Sequence, residues 1–273
     1  MIRQNLHTHS TFDDGQNTME EMVRAAISAG FSSLGFSVHT PMPFPACWTI
    51  EESRLPDYVA EARRLRRAYA GQIDVFCGAE WDMLSQVPLD GFGYVIGSAH
   101  HIPAGSGRYC VDHKPEETER YLKEYFENDA DAAAEAYFEF TARLASFPRV
   151  DIIGHFDILT KFDDMREFYR PDSPRYRAAA LAAMDALVAA GKIFEINTGA
   201  VARGYRKTPY PSRDLLQELH KRGARVTVSS DAHTAGEIAF GFAEAERLAH
   251  ECGFTEYWIY DGSAFAPVPF GGA

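Results

Sequence analysis

A chain of 273 residues with a formal charge of −12 can bury one barrel-sized core, and it is too acidic for a broad nucleic-acid surface, which needs clustered Lys and Arg. No run approaches a membrane span, no stretch is low in complexity and no period repeats, which excludes bilayer-spanning, fibrous and solenoid classes. Cys47, Cys77, Cys110 and Cys252 are scattered without CxxC spacing, and Met-Ile-Arg-Gln-Asn-Leu-His at the start runs toward a strand with no signal segment, so a cytoplasmic protein with reduced thiols is expected.

Predicted strands and helices alternate along the chain. Asn5–His9 reads as the first strand, followed by a helix over Met19–Ala29 with Thr18 as N-cap, Glu21 completing a capping box and Gly30 beyond its end. Strand Ser33–His39, helix Pro56–Tyr69 and strands Ile73–Glu80 and Tyr94–His101 come next. Pro115–Leu144 holds one or two helices, with Asp129–Asp131 as the interruption. Strand Val150–Asp157, the Ala-rich helix Ser173–Ala190 ending before Gly191, strand Lys192–Thr198 and helix Pro211–Arg222 lead to strand Arg225–His233. Thr234 and Glu237 repeat the capping-box spacing at the head of a last helix, Ala235–Cys252. Helical crossovers make the strands parallel, within a single domain over residues 1–273.

Nearly every strand runs into a His, Asp or Glu. His7 and His9 alternate on one strand and so face the same way, and the Asp13-Asp14-Gly15 turn brings a carboxylate back over them. His39, Glu80, His100 and His155 each end an apolar run, where a charge is costly unless it is paired or bound to metal. Asp231 and His233 close the set after the last strand, whereas His101, His113, His220 and His250 lack this placement. An open sheet concentrates chemistry at one switch point, and a barrel gathers residues from many strand ends; candidates spread over six strands favour the α/β barrel. Nine N/O ligands without Cys suit Zn, Mn or Fe, and they exceed the three or four protein ligands of one catalytic zinc, so two or three divalent ions are implied.

In this order the residues resemble the PHP (polymerase and histidinol phosphatase) family, through His7-Thr8-His9 with Asp14, His39, the Glu80 and His100 region, and Ser230-Asp231-Ala232-His233. Gly97-Ser98-Ala99-His100, Gly154-His155-Phe156-Asp157, Asn197-Thr198-Gly199, Arg203-Gly204-Tyr205 and Pro209-Tyr210-Pro211-Ser212 bring it nearest to the stand-alone histidinol-phosphate phosphatases. The resemblance implies a distorted (β/α)7 barrel with its active site at the C-terminal ends of the strands. It also implies a trinuclear centre. His7, His9, Glu80 and Asp231 would hold the first ion, Glu80 with His100 and His155 the second, and Asp14, His39 and His233 the third.

The implied reaction is hydrolysis of a phosphate monoester, L-histidinol phosphate, in histidine biosynthesis. Asp231 or His233 would move the proton, and Arg203, then Arg166 and Arg206, would hold the phosphate. Asp163, Asp164 and Glu167 are candidates for the substrate's amine. The alternatives are a PHP phosphoesterase of nucleotides or nucleic-acid 3′ ends, a metal-dependent amidohydrolase, and a non-catalytic metal-binding protein. Family chains often finish on a basic stretch, where this one reads Tyr257-Trp258-Ile259-Tyr260-Asp261-Gly262. The partner expected is a small phosphate ester, with no nucleic acid and no membrane; sequence is silent on oligomeric state.

Overall fold

The computed structural model describes residues 3–271, so Met1 and Ile2, on which the expectation of no signal segment partly rests, lie outside the described residues. Seven parallel strands pair in chain order: β1 Gln4–Asn5, β2 Ser33–His39, β3 Asp74–Asp82, β4 Val95–Ser98, β5 Ile152–Ile153, β6 Ile193–Asn197 and β7 Arg225–Ser229. Past its regular ladder the first strand meets the last. Thr8 bridges Ala232 in parallel, His9 N–H donates to the Ala232 carbonyl at 2.9 Å, and the Asn5 amide donates to Ser230 Oγ at 2.7 Å. The sheet thereby curls into a nearly closed, distorted (β/α)7 barrel.

Helices α1 Met19–Ser28, α2 Leu55–Ala68, α3 Pro115–Phe126, α4 Ala130–Ala142, α5 Pro174–Ala189, α6 Gly199–Ala202 and α7 Arg213–Lys221 fill the crossovers, except between β3 and β4, which are joined without one, and α8 Phe242–Glu251 follows β7. Local chemistry sets their ends. Thr18 and Glu21 form the capping box of α1, Asp129 caps α4 through Ala132 N–H, and Ser173 caps α5 through Arg175 N–H.

Five expected elements differ, one of them the last strand, whose ladder ends at Ser229 where the expectation ran to His233. The β4 ladder stops at Ser98, and His101–Ala104 turns away to form an antiparallel hairpin with Gly107–Cys110. β1 and β5 are two-residue ladders where longer strands were expected, with single backbone bonds continuing the pairing beyond them, from Ser37 N–H to Thr8 and from Gly154 N–H to Gly97. The capping box of Thr234 and Glu237 is present but caps only a 3-10 turn, Ala235–Glu237. Gly241 then takes a left-handed conformation (φ 71°) against Thr198, and α8 starts one residue later.

Alternation along the strands separates two cores. Leu6, Phe76, Ile96, Ile152 and Ile193 pack inside the barrel with Tyr94, while their strand neighbours Val75, Val95, Ile153 and Phe194 join the larger core beneath the helices. The C-terminal hairpin, Glu256–Tyr260 with Phe265–Pro269, closes the floor: Tyr260 joins the inner core and exchanges two hydrogen bonds of 2.8 Å with the Gln4 side chain. Tyr94 spans the interior, its hydroxyl donating to the Leu6 and Phe36 carbonyls. Its ring lies so close to Gly35 and Gly78 that a Cβ at either would overlap it. Gly78→Ala is therefore expected to cost about 1–3 kcal/mol through overpacking, read as a lowered urea midpoint. Gly91→Ala, at an exposed position with open space around it, should leave the midpoint in place; equal midpoints for the two variants would contradict this packing.

Candidate metal centre

Parallel pairing in register places the strand ends side by side, with His39 of β2 opposite Glu80 of β3. Glu80 is 1 % exposed and stands at the centre of the mouth. Its Oε2 lies 3.0 Å from His7 Nε2, 3.1 Å from His39 Nδ1 and 3.5 Å from His9 Nε2. Its Oε1 lies 2.9 Å from His155 Nε2 and 3.2 Å from His100 Nε2, and accepts from Ser98 Oγ at 2.8 Å. The two oxygens thus address two groups of imidazoles. Burial would raise this carboxyl, but His7, His39 and His100 hold it well below the usual range, and it stays anionic.

Two further carboxylates complete the cluster. Asp231 Oδ1 lies 3.2 Å from His9 Nε2 and 3.5 Å from His7 Nε2, and Asp14 Oδ1 lies 3.2 Å from His233 Nε2 and 3.8 Å from His39 Nε2. Asp231 has a left-handed backbone (φ 48°), a strained state for a non-glycine residue, and Gly199 leaves room beside it, since a Cβ there would come within 2.8 Å of the Asp231 Cβ. The nine side chains singled out from the sequence therefore come together. Four overlapping groups have ligand atoms within 4.8 Å of one another: His9, Asp14, His39 and His233; His7, Glu80 and His155; His7, His9 and Asp231; and His39, Glu80 and His100.

This donor set fits divalent cations. His9 Nε2 is buried without a hydrogen-bond partner, and His100 Nε2 and His155 Nε2 lie 3.2 Å apart while both address one oxygen of Glu80. Imidazole nitrogens and carboxylates at this density, with no thiolate, suit Zn, Mn or Fe.

A second ring of groups fixes the imidazoles. His7 Nδ1 donates to Glu195 Oε2 at 2.8 Å, and His9 Nδ1 donates to Asp13 Oδ2 at 2.7 Å, which leaves each Nε2 for the centre. Glu195 also accepts from His155 N–H at 2.6 Å, from the Asn197 amide at 2.8 Å and from Ser229 Oγ at 2.7 Å. Reading strand ends misses Glu195, which lies inside β6. Its signal is parity: it shares a face with Ile193, inside the barrel, and with Asn197.

Above the cluster lies a cavity of about 250 Å3 whose walls include Trp48, Asp112, Lys161, Arg203, Tyr205 and Tyr210. Of the three arginines proposed for phosphate, only Arg203 lines it. Its Nη2 bonds Asp231 Oδ2 at 3.0 Å, and its Nη1 reaches His233 Nδ1 at 3.1 Å. Arg166 is exposed and forms a bidentate pair with Glu119 at 2.6 and 2.8 Å. Arg206 lies over the Tyr210 ring, with its guanidinium carbon 4.5 Å from the centroid. It lines a separate cavity together with Asp163, Asp164 and Glu167, which places those candidates for the amine away from the metal-site cavity.

Comparison with known proteins gives concordant results. The PHP domain family model matches residues 5–199. A probable histidinol-phosphatase of Deinococcus radiodurans is 32 % identical over 249 residues, covering 86 % of this chain and 88 % of that protein. The histidinol-phosphatase of Bacillus subtilis is 24 % identical over 267 residues, covering 89 % and 97 %. The crystal structure of a histidinol phosphate phosphatase from Lactococcus lactis, complexed with Zn, L-histidinol and phosphate, superposes with a TM-score of 0.74 at 22 % identity, covering 97 % and 98 %.

Two outcomes are expected. Glu195→Ala should weaken metal binding by about 10–100-fold, measured by zinc competition with a chelating dye; unchanged affinity would remove Glu195 from this role. In the metal-free protein burial would lower His9 and His100, but Asp13 raises His9 to about 10 and Glu80 raises His100 to about 9, both from 6.5. Their contribution to stability is then fully present below pH 6.5 and is lost as pH rises through 9 to 10. Thermal melts in chelator should fall over that window. Metal affinity should rise over it, because ions displace these protons.

Proposed function

This chain belongs to the PHP domain family, and on that footing we propose that it is a metal-dependent phosphatase hydrolysing L-histidinol phosphate to L-histidinol and phosphate, as a step of histidine biosynthesis. The observation that carries the chemistry is Glu80, a buried carboxylate whose two oxygens address separate groups of histidines. The substrate reading rests on relatives named for histidinol-phosphatase that align with nearly nine-tenths of the chain.

In this reading residues 1–273 act as one barrel domain holding two or three Zn, Mn or Fe ions. His7, His9, Glu80 and Asp231 would hold one ion, Glu80, His100 and His155 a second, and Asp14, His39 and His233 a third, all drawn from the overlapping groups at the mouth. Bound there, such ions lower the pKa of water and neutralise phosphoryl oxygens. Arg203 supplies the guanidinium charge beside the phosphate, oriented by its bonds to Asp231 and His233. Proton transfer falls to Asp231 or His233. Burial would raise Asp231, but Arg203 and His7 hold it well below the usual range, in the proton-accepting form. Tyr205, Tyr210 and Trp48 line the cavity above the reacting centre.

No helix of the described residues is long and apolar enough to cross a membrane, and all four cysteines are unpaired, which supports a cytoplasmic location. The test is phosphate release from histidinol phosphate beside sugar phosphates and nucleotides, with Zn, Mn or Fe supplied. Strong preference for histidinol phosphate is expected, abolished by chelator and in His9→Ala. Arg203→Ala should lose about 10²–10³-fold in kcat/KM. Metal-dependent turnover of another ester instead would discard the substrate, and no turnover with metals verified bound would discard the phosphatase.

A further inference from the structure

Four carboxylates line the metal-site cavity: Asp14, Glu80, Asp112 and Asp231. Three of them belong to the groups able to hold an ion; Asp112 does not. It follows the hairpin that leaves the end of β4 and meets Lys161 across the mouth, on the loop after β5. Lys161 Nζ lies 2.8 Å from the Asp112 carbonyl and 3.2 Å from its Oδ2. The two side chains are 20 % and 14 % exposed, so the pair faces the cavity and is only partly desolvated.

Such a pair adds little net stability, because its attraction is offset by desolvation and side-chain ordering. It also has an electrostatic consequence for any ester that enters. A phosphate monoester brings up to two negative charges, and a carboxylate that binds no ion repels it. An ester that also carries an ammonium reverses that sign. Lys161 then has a phosphoryl oxygen to turn to, and the freed Asp112 has a cation to accept.

We propose that Asp112 and Lys161 together read amino-alcohol phosphates: Asp112 binds the substrate ammonium, Lys161 binds a phosphoryl oxygen, and esters lacking the amine are disfavoured. This rests on the phosphatase reading above and adds to it the residue that selects for the amine. Asp163, Asp164 and Glu167 line a different cavity, so Asp112 is the carboxylate of the metal-site cavity available for this contact among the described residues.

The test compares kcat/KM for histidinol phosphate and for its deaminated analogue, 3-(imidazol-4-yl)propyl phosphate, on the metal-loaded enzyme. Wild type should prefer the amine-bearing ester by about 10–100-fold, the worth of one charge-assisted hydrogen bond, expressed mainly in KM. Asp112→Asn should collapse that ratio toward one, and Lys161→Gln should lower both rates with the ratio held. Metal content and melting temperature of each variant show whether the centre is intact, and the ratio cancels any general loss of active enzyme. An unmoved ratio in Asp112→Asn overturns the proposal while the phosphatase reading stands. A wild type that hydrolyses neither ester overturns both.

Discussion

The arrangement depends on one constraint, a carboxylate buried where water cannot solvate it. Glu80 is 1 % exposed at the centre of the barrel mouth, and its charge must be balanced from within the protein. Histidines from three other strand ends, His39, His100 and His155, and His7 and His9 from the first chain segment supply that balance, and two of them are oriented by separate partners: Glu195 for His7, Asp13 for His9. Removing any one of these groups leaves another polar atom unmatched. The centre is therefore cooperative before any ion is bound, and cations convert a crowded set of proton-sharing pairs into a set of ligands.

The barrel divides this polar work from the work of holding the fold. Along β3 the side chain of Phe76 packs into the inner core, while Glu80, four residues further along the same face, reaches the mouth. Along β6 the corresponding step runs from Ile193 to Glu195 and Asn197. The floor is apolar and sealed by Tyr94 and the Tyr260 hairpin; the mouth is polar and fed by loops. Loops at the mouth can therefore vary in length and shape without disturbing the packing below, which accommodates the hairpin after β4 and the missing helix between β3 and β4.

Much of this was legible in the sequence because strand ends and helix caps are local signals. His39 and Glu80 end apolar runs, Thr18 and Glu21 mark the start of α1, and Asp129 divides α3 from α4. What was not legible is non-local. Glu195 reads as an isolated acid in an apolar strand until the barrel closes and brings His7 to it. Asp112 reads as a loop residue until the hairpin swings it to Lys161. Thr234 and Glu237 gave a correct cap, but the length of what they cap was decided by Gly241 packing on Thr198, a contact between segments about forty residues apart. Arg203 ranks ahead of Arg166 and Arg206 in sequence because it follows a strand end within a family motif, but that the other two turn away from the cavity shows only in the course of the loops.

The seam between Thr8 and Ala232 joins residues more than two hundred positions apart, and His7, His9, Asp231 and His233 all flank it. A ribosome delivering this chain exposes the first two imidazoles more than two hundred residues before the last aspartate and histidine. Between those moments His7 and His9 have strands beside them but no Asp231 to share an ion. The complete cluster can exist only after the last strand has emerged and docked against the first. Acquisition of the full set of ions thus has to wait for the last strand, and an ion captured by the early histidines alone would meet a partial site with few ligands. The order in which the chain is made becomes a timer for when its chemistry can begin.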